Sequence, residues 1–123
     1  MPLDPSLTDE PYCYLTTVGR VTGKPHEIEI WFGLYGYTLF LLSGGGGNGK
    51  RSDWVLNLSK TPQVSVRVRE VTYRARARIV QAGEEEALAR RLLFAKYNPS
   101  YNGDLAEWRD TALPIALDVD AEA

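Results

Sequence analysis

Between Gly44 and Gly49 five of six residues are glycine, and Lys50 and Arg51 follow at once. A backbone without Cβ atoms reaches conformations closed to other residues. Gly44, Gly45, Gly46, Gly47, Asn48 and Gly49 can therefore turn consecutive N–H groups toward one anion. Ser52 is a candidate N-cap and Asp53 falls in the first turn of a helix, whose N-terminus adds partial positive charge on the same side. A flexible hairpin loop is the simpler reading of this composition; the basic pair and the helix start favour a phosphate cradle. Gly44 to Lys50 also matches most of a nucleotide-binding P-loop, with Leu39 to Leu42 as its strand. Arg51 replaces the Ser or Thr that would hold magnesium, and short hairpin connections replace the parallel strands which that fold requires.

A second basic turn, Gly19-Arg20-Val21-Thr22-Gly23-Lys24, follows the first predicted strand. If the first three strands form a meander, this turn and the glycine-rich segment share one end of the sheet. Arg20, Lys24, Lys50 and Arg51 then converge. Side-chain catalysis has few players. His26 and Cys13 are single, so an intramolecular disulfide and any metal site built on several Cys or His are excluded. No serine or cysteine has a base nearby in sequence. Thirteen aromatic residues (Trp 3, Tyr 7, Phe 3) and an anion cradle suit a bound cofactor that carries the chemistry itself.

Positioning these turns falls mainly to strands. Tyr12 to Val18, His26 to Gly33 and Tyr37 to Ser43 are predicted as hairpin-connected strands, with Ile28, Ile30 and Phe32 on one face and Glu27, Glu29 and Trp31 on the other. Trp54, Val55 and Leu58 form the apolar face of a short helix that Thr61-Pro62 ends. Two strands follow, Val64 to Val68 and Tyr73 to Ile79. Their Arg67, Arg69, Arg74, Arg76 and Arg78 form a basic face, solvated or a subunit contact, with Glu27, Glu29 and Glu70 as possible partners. Glu84 to Tyr97 is a helix, Leu105 to Arg109 allows one helical turn, Leu113 to Val119 is the last strand, and Asp120 to Ala123 should fray. Residues 1–123 read as one domain, with 44% hydrophobic and 24% charged residues. A net charge of −2 argues against a nucleic-acid partner. The absence of a signal-like start and of any long apolar run predicts a cytoplasmic chain with no integral membrane association.

Leu15-Thr16-Thr17-Val18-Gly19-Arg20-Val21-Thr22-Gly23-Lys24-Pro25 resembles the opening of the deazaflavin-dependent nitroreductase and quinone reductase family. Leu41-Leu42-Ser43-Gly44-Gly45, then Trp54-Val55-Leu56-Asn57-Leu58 and Pro62, resemble its centre, and Leu113-Pro114-Ile115-Ala116-Leu117 its last strand. The likeness runs from Tyr12 to Val119. It implies the flavin-binding split β-barrel superfamily similar to pyridoxamine-phosphate oxidases: mainly β with helices (α+β), a six-stranded antiparallel Greek-key-like barrel, helices over the barrel ends, and frequent homodimers. It also implies coenzyme F-420 (a deazaflavin) or FMN, and hydride transfer from the reduced cofactor to a quinone, nitroaromatic or enone. A non-catalytic cofactor-binding or carrier protein is the alternative. By position, Arg20, Thr22, Gly23 and Lys24, with the glycine-rich segment Gly44–Gly49, Lys50 and Arg51, would hold the phosphate tail. Ile30, Trp31, Phe32, Ser43 and Gly44 would lie by the tricyclic ring, while Trp54 and Asn57 would secure the helix behind the loop. Tyr97 and Tyr101 would stand near the substrate as catalytic residues.

Overall fold

The structure, a computed structural model, describes residues 3–44 and 52–123. The expected cradle residues Gly45, Gly46, Gly47, Asn48, Gly49, Lys50 and Arg51 thus lie outside the described residues. Alternating burial defines β1 (Cys13–Val18), β5 (Gln63–Val68) and β6 (Val71–Ile79), whose inward Leu15, Val66 and Ala75 are buried while outward Arg74 and Arg76 are exposed. The other strands are β2 (Pro25–Ile30), β3 (Gly33–Tyr35), β4 (Thr38–Ser43) and β7 (Leu113–Glu122). Every pairing is antiparallel, in the order β2-β1-β5-β6-β7-β4-β3. The parallel topology of a P-loop is absent among the described residues.

Two expectations about the strands are corrected. Among the described residues seven strands form instead of six, because the run from His26 to Gly33 divides at Trp31-Phe32 into β2 and β3. The expected meander of the first three strands is also not formed: β4 pairs with β7, Leu41 facing Ile115. β2 and β3 are the two edges of the sheet, yet only Trp31 and Phe32 separate them. Three residue steps reach about 10 Å, so the edges must meet and the sheet must curl into a split barrel. Phe32 is fully buried inside it, in one cluster with Leu15, Leu39, Leu41, Val66 and Leu117. Side chains so enclosed contribute about 1.5–3 kcal/mol each.

The helices divide the work unequally. α1 (Asp53–Lys60) sends Val55 and Leu58 into the barrel interior, as a cover over one opening should. Leu7, from a 3-10 helix at Pro5–Asp9, joins the same cluster. α2 (Glu84–Tyr97) and α3 (Ala106–Thr111) do not cover an end. They build a second core on the outer face of β4 and β7, where Leu93, Ala89 and Tyr97 pack with Phe40, Leu42 and Ala116. β4 is therefore buried on both faces, which explains its almost wholly apolar sequence. The last residues do not fray: β7 runs to Glu122, which faces Tyr73, and the Ala123 N–H donates to the Thr72 carbonyl. The arginine partners differ from those expected as well. Arg69 pairs with Glu10, and Arg78 with Glu85 and Asp118.

Candidate functional site

The turn after β1 closes on itself, with the Gly23 N–H donating to the Gly19 carbonyl and the Gly19 N–H to the Lys24 carbonyl, both at 2.8 Å. Gly23 has φ +73°, the left-handed region that glycine tolerates. α1 holds this turn through Asn57, which is buried. Its amide oxygen accepts from the Arg20 backbone N–H at 3.1 Å and from the Arg20 guanidinium at 2.9 Å, and its amide nitrogen donates to Thr17. Arg20 also pairs with Asp53 at 3.0 Å, and its carbonyl accepts from Lys60. A carboxylate beside an anion site would be unfavourable; here Asp53 is turned to Arg20 instead. Thr22 Oγ1 accepts from the Lys24 N–H.

Between this turn and α1 lies an open groove of about 600 Å³, lined by Arg20, Thr22, His26, Ile28, Trp54 and Asn57 among others. The His26 imidazole crosses Gly19 so closely that a Cβ there would meet it at 2.6 Å. His26 is outside the expected site; it follows Pro25 at the start of β2, and the strand pairing sets it opposite Thr17.

Ser43 ends β4, and its hydroxyl lies 3.0 Å from that of Ser52 just before α1. The two ends flanking residues 45–51 are thereby pinned together, and Arg20 reaches Asp53 next to them. Among described residues, the first turn and the flanks of the glycine-rich segment thus do share one end of the molecule, although the meander expected to bring them together does not form. A second cavity, of about 420 Å³, is lined by Ser43, Gly44, Tyr101, Asp104, Glu107 and Trp108 among others. A Cβ on Gly44 would stand 3.0 Å from the Trp108 indole, so glycine is what permits that approach. Trp108 was missing from the expected site. Its signal is an indole within the short helical turn expected over Leu105 to Arg109.

Trp31 joins this cavity to the sheet. It stacks on Tyr97 with centroids 4.3 Å apart and planes 3° from parallel, and meets the edges of Tyr101 and Trp108 at 6.1 and 5.7 Å. Ile30 and Phe32, expected beside the ring with Trp31, point instead into the barrel interior, as strand alternation requires of residues flanking Trp31. Tyr97 is buried too. Its hydroxyl accepts from the Phe32 N–H at 3.0 Å and has the Pro11 and Phe32 carbonyls at 2.8 and 3.1 Å. Burial pushes this hydroxyl well above the ordinary phenol range, so its proton is held by backbone rather than offered to a substrate. Tyr101 is half exposed at the cavity.

The described residues fit a flavin-type cofactor in their donor set. Arg20, Thr22 and His26 line the groove with hydrogen-bonding groups that could meet an anionic end, and Trp54 and Ile28 line it with apolar surface. Ser43 and the bare Gly44 backbone leave room beside an aromatic cavity. Among the described residues no group of His, Cys, Asp or Glu could hold a metal ion, and no helix is long and apolar enough to cross a membrane.

Solved structures with this fold include an F-420-H(2) dependent reductase of the FDR-A type, 24% identical, covering 98% of both chains with TM-score 0.71. A protein described as a domain-swapped dimer is also 24% identical, over 96% of this chain and 82% of that one, with TM-score 0.71. An FAD-binding protein from Mesorhizobium loti is 16% identical over 100% of this chain and 97% of its own, with TM-score 0.67. At these identities the likenesses establish the fold. The assignment comes from sequence: residues 4–120 match the family model described as F-420H(2)-dependent quinone reductase, and the chain belongs to that family.

Proposed function

We propose that the protein reduces a neutral, electron-poor acceptor, a quinone, nitroaromatic or enone, at the expense of reduced F-420. The observation that carries this reading is the Ser43–Ser52 contact, which ties Ser43 at the Trp108 cavity to Ser52, the neighbour of Asp53 at the groove beside the first turn. When bound, the reduced coenzyme supplies a hydride equivalent. The chain's own residues bind and orient. Arg20, Thr22, Gly23 and Lys24, together with Gly45–Gly49, Lys50 and Arg51, hold the anionic end. Trp54 walls the groove, and Asn57 keeps Arg20 in place. Ser43 and Gly44 line the second cavity. Trp108 and Tyr101 line the cavity and stack a flat acceptor, and the Tyr101 hydroxyl steadies developing negative charge. Asp104 and Glu107 at that cavity disfavour anionic acceptors.

A homodimer is part of the reading. The outer face of β2-β1-β5-β6 carries exposed Glu27 and Glu29 on its edge strand and exposed Arg74 and Arg76 three strands away. A two-fold axis along the strands would set the acids of one copy over the arginines of the other.

Titration with F-420 and with FMN, each followed by cofactor fluorescence, tests the coenzyme. Anaerobic turnover with menadione tests the reaction. The expected result is binding of F-420, weaker or no binding of FMN, and reduction of the quinone. Binding without turnover would make the chain a carrier, and binding of neither cofactor would end the proposal.

A further inference from the structure

The corner at Trp31-Phe32 has a hydrogen-bond shortage that one residue repairs. Tyr97 has a single hydroxyl proton, and two carbonyls stand within its reach: Pro11 at 2.8 Å and Phe32 at 3.1 Å. Its lone pairs are already engaged by the Phe32 N–H. Given to the nearer Pro11, the proton leaves the Phe32 carbonyl, in a buried residue, without a donor. Lys96 fills the gap. Its Nζ donates to the Phe32 carbonyl at 3.1 Å and lies 3.7 Å from the centre of the Phe32 ring and 5.1 Å from that of Tyr97. An ammonium donor makes this a charge-assisted bond, set among aromatic faces.

We propose that Lys96 is a positioning residue for the acceptor cavity: by supplying the donor that Tyr97 lacks, it fixes the Trp31–Phe32 corner on which the aromatic wall rests. The path is short. Lys96 holds Phe32; the adjacent Trp31 stacks on Tyr97 and meets the edges of Tyr101 and Trp108, which line the cavity. This inference rests on the reading of that cavity as the acceptor site.

The surroundings make the bond sensitive to pH. Burial lowers the Lys96 amine to about 8, opposed by Cys13 on β1 and by Asp9 and Glu10 at the 3-10 helix near the N-terminus. Tyr97 faces it from the same helix and Tyr12 precedes β1; Arg69 draws Glu10 aside in an ion pair at 3.0 Å. Above that pH the amine remains a donor but loses its charge, so the corner keeps its hydrogen bond while the cation beside the Phe32 and Tyr97 rings disappears.

The corner itself is read without any coenzyme, by near-UV circular dichroism between pH 7 and 9.5, where the stacked Trp31 and Tyr97 contribute. Wild-type protein should change ellipticity with a midpoint near 8. Lys96→Met should show no such step, and Lys96→Arg should keep the low-pH spectrum throughout. In steady-state assays with menadione at pH 7, Lys96→Met should raise the acceptor KM about fivefold with kcat within twofold, and Lys96→Arg should restore KM. A step that persists in Lys96→Met, or an unchanged acceptor KM, overturns the inference. Should Lys96→Met not fold, the wild-type titration and Lys96→Arg still decide it: a flat wild-type profile, or an arginine variant that titrates alike, refutes it. Absence of turnover with an intact ellipticity step would strike the proposed function and leave the corner's dependence on Lys96 standing.

Discussion

At the first turn, α1 sends the Asn57 amide to the backbone of Arg20; at the Trp31–Phe32 corner, α2 sends the Tyr97 hydroxyl to the backbone of Phe32. Each is one buried polar side chain fastening a break between strands to a helix. The surroundings differ. Around Asn57 stand Arg20, Asp53 and Lys60, all partly open to water. Around Tyr97 stand Trp31, Phe32 and the buried Cys13, with the Lys96 ammonium 5.1 Å from its ring. Electrostatic grip on a charged ligand suits the first environment; a dry wall for a flat neutral one suits the second. A coenzyme with an anionic tail and a planar head needs both in succession.

Removing the centre of the wet region should cost most. Asn57→Ala deletes three hydrogen bonds, one of them to a guanidinium, and strands the Arg20 N–H beside a small cavity. The expected loss is about 3 kcal/mol, measured by urea unfolding, together with weaker F-420 binding. A variant that lost stability but bound F-420 as tightly as wild type would show that the turn is fastened for folding alone. Tyr97→Phe should cost somewhat less, about 2 kcal/mol, since Lys96 still serves the Phe32 carbonyl while the Phe32 N–H and Pro11 carbonyl go unpaired. Hydroxyl loss here should leave F-420 binding unchanged. If it does not, the two regions are less separate than their chemistry suggests.

How much of this was legible beforehand follows the same division. Strand alternation was readable because each inward residue is apolar and each outward one polar, as at Val64, Val66 and Val68 against Ser65 and Arg67. The sequence of the first turn, with Gly19 and Gly23 around basic residues, marks a tight basic turn without any knowledge of α1. The corner was hidden for a physical reason. Ile28 to Phe32 keeps its alternation straight through the break, so nothing in the pattern announces that β2 ends and β3 begins. What bends the chain there is tertiary: Tyr97 and Lys96, some 65 positions away, take the Phe32 backbone groups that a continued strand would have offered to a neighbour. For the same reason Tyr97 was expected at the substrate, its hydroxyl being credited with chemistry that the fold already uses. Trp108 escaped because its partners, Gly44 and Trp31, are far off in sequence.

Dryness at the corner has a further consequence in alkaline solution. Burial pushes the Cys13 thiol from 9.0 up to about 12, with Lys96 opposing the rise. An unfolded chain loses that proton near 9 while the folded one keeps it. The thiol's contribution to stability is therefore complete below pH 9 and is lost as pH climbs through about 12, at a slope of up to about 1.4 kcal/mol per pH unit. Lys96 acts in the opposite sense: its lowered amine makes stability rise between about 8 and 10.5. Comparing the pH dependence of unfolding for wild type and Cys13→Ala isolates the thiol, and the variant should lose less stability between pH 9.5 and 11. Equal slopes would mean that water reaches Cys13 and that the corner is wetter than described.

The smallest effect expected belongs to the groove and has the opposite sign from the others. Asp53 is almost fully solvent-exposed, at 88%, yet it pairs with Arg20 and so competes with any anion for the same guanidinium. Exposed pairs of this kind contribute at most about 1 kcal/mol, so Asp53→Asn should leave the melting temperature nearly unchanged. Removing the charge also removes repulsion toward an anionic tail, and the asparagine can still open the first turn of α1. F-420 should therefore bind about two- to fivefold more tightly, and the gain should shrink as salt is raised, because the competing charges face solvent. Weaker binding in Asp53→Asn would mean that the carboxylate orients Arg20 for the ligand rather than withholding it, and that the wet region, like the corner, works by fixed geometry more than by available charge.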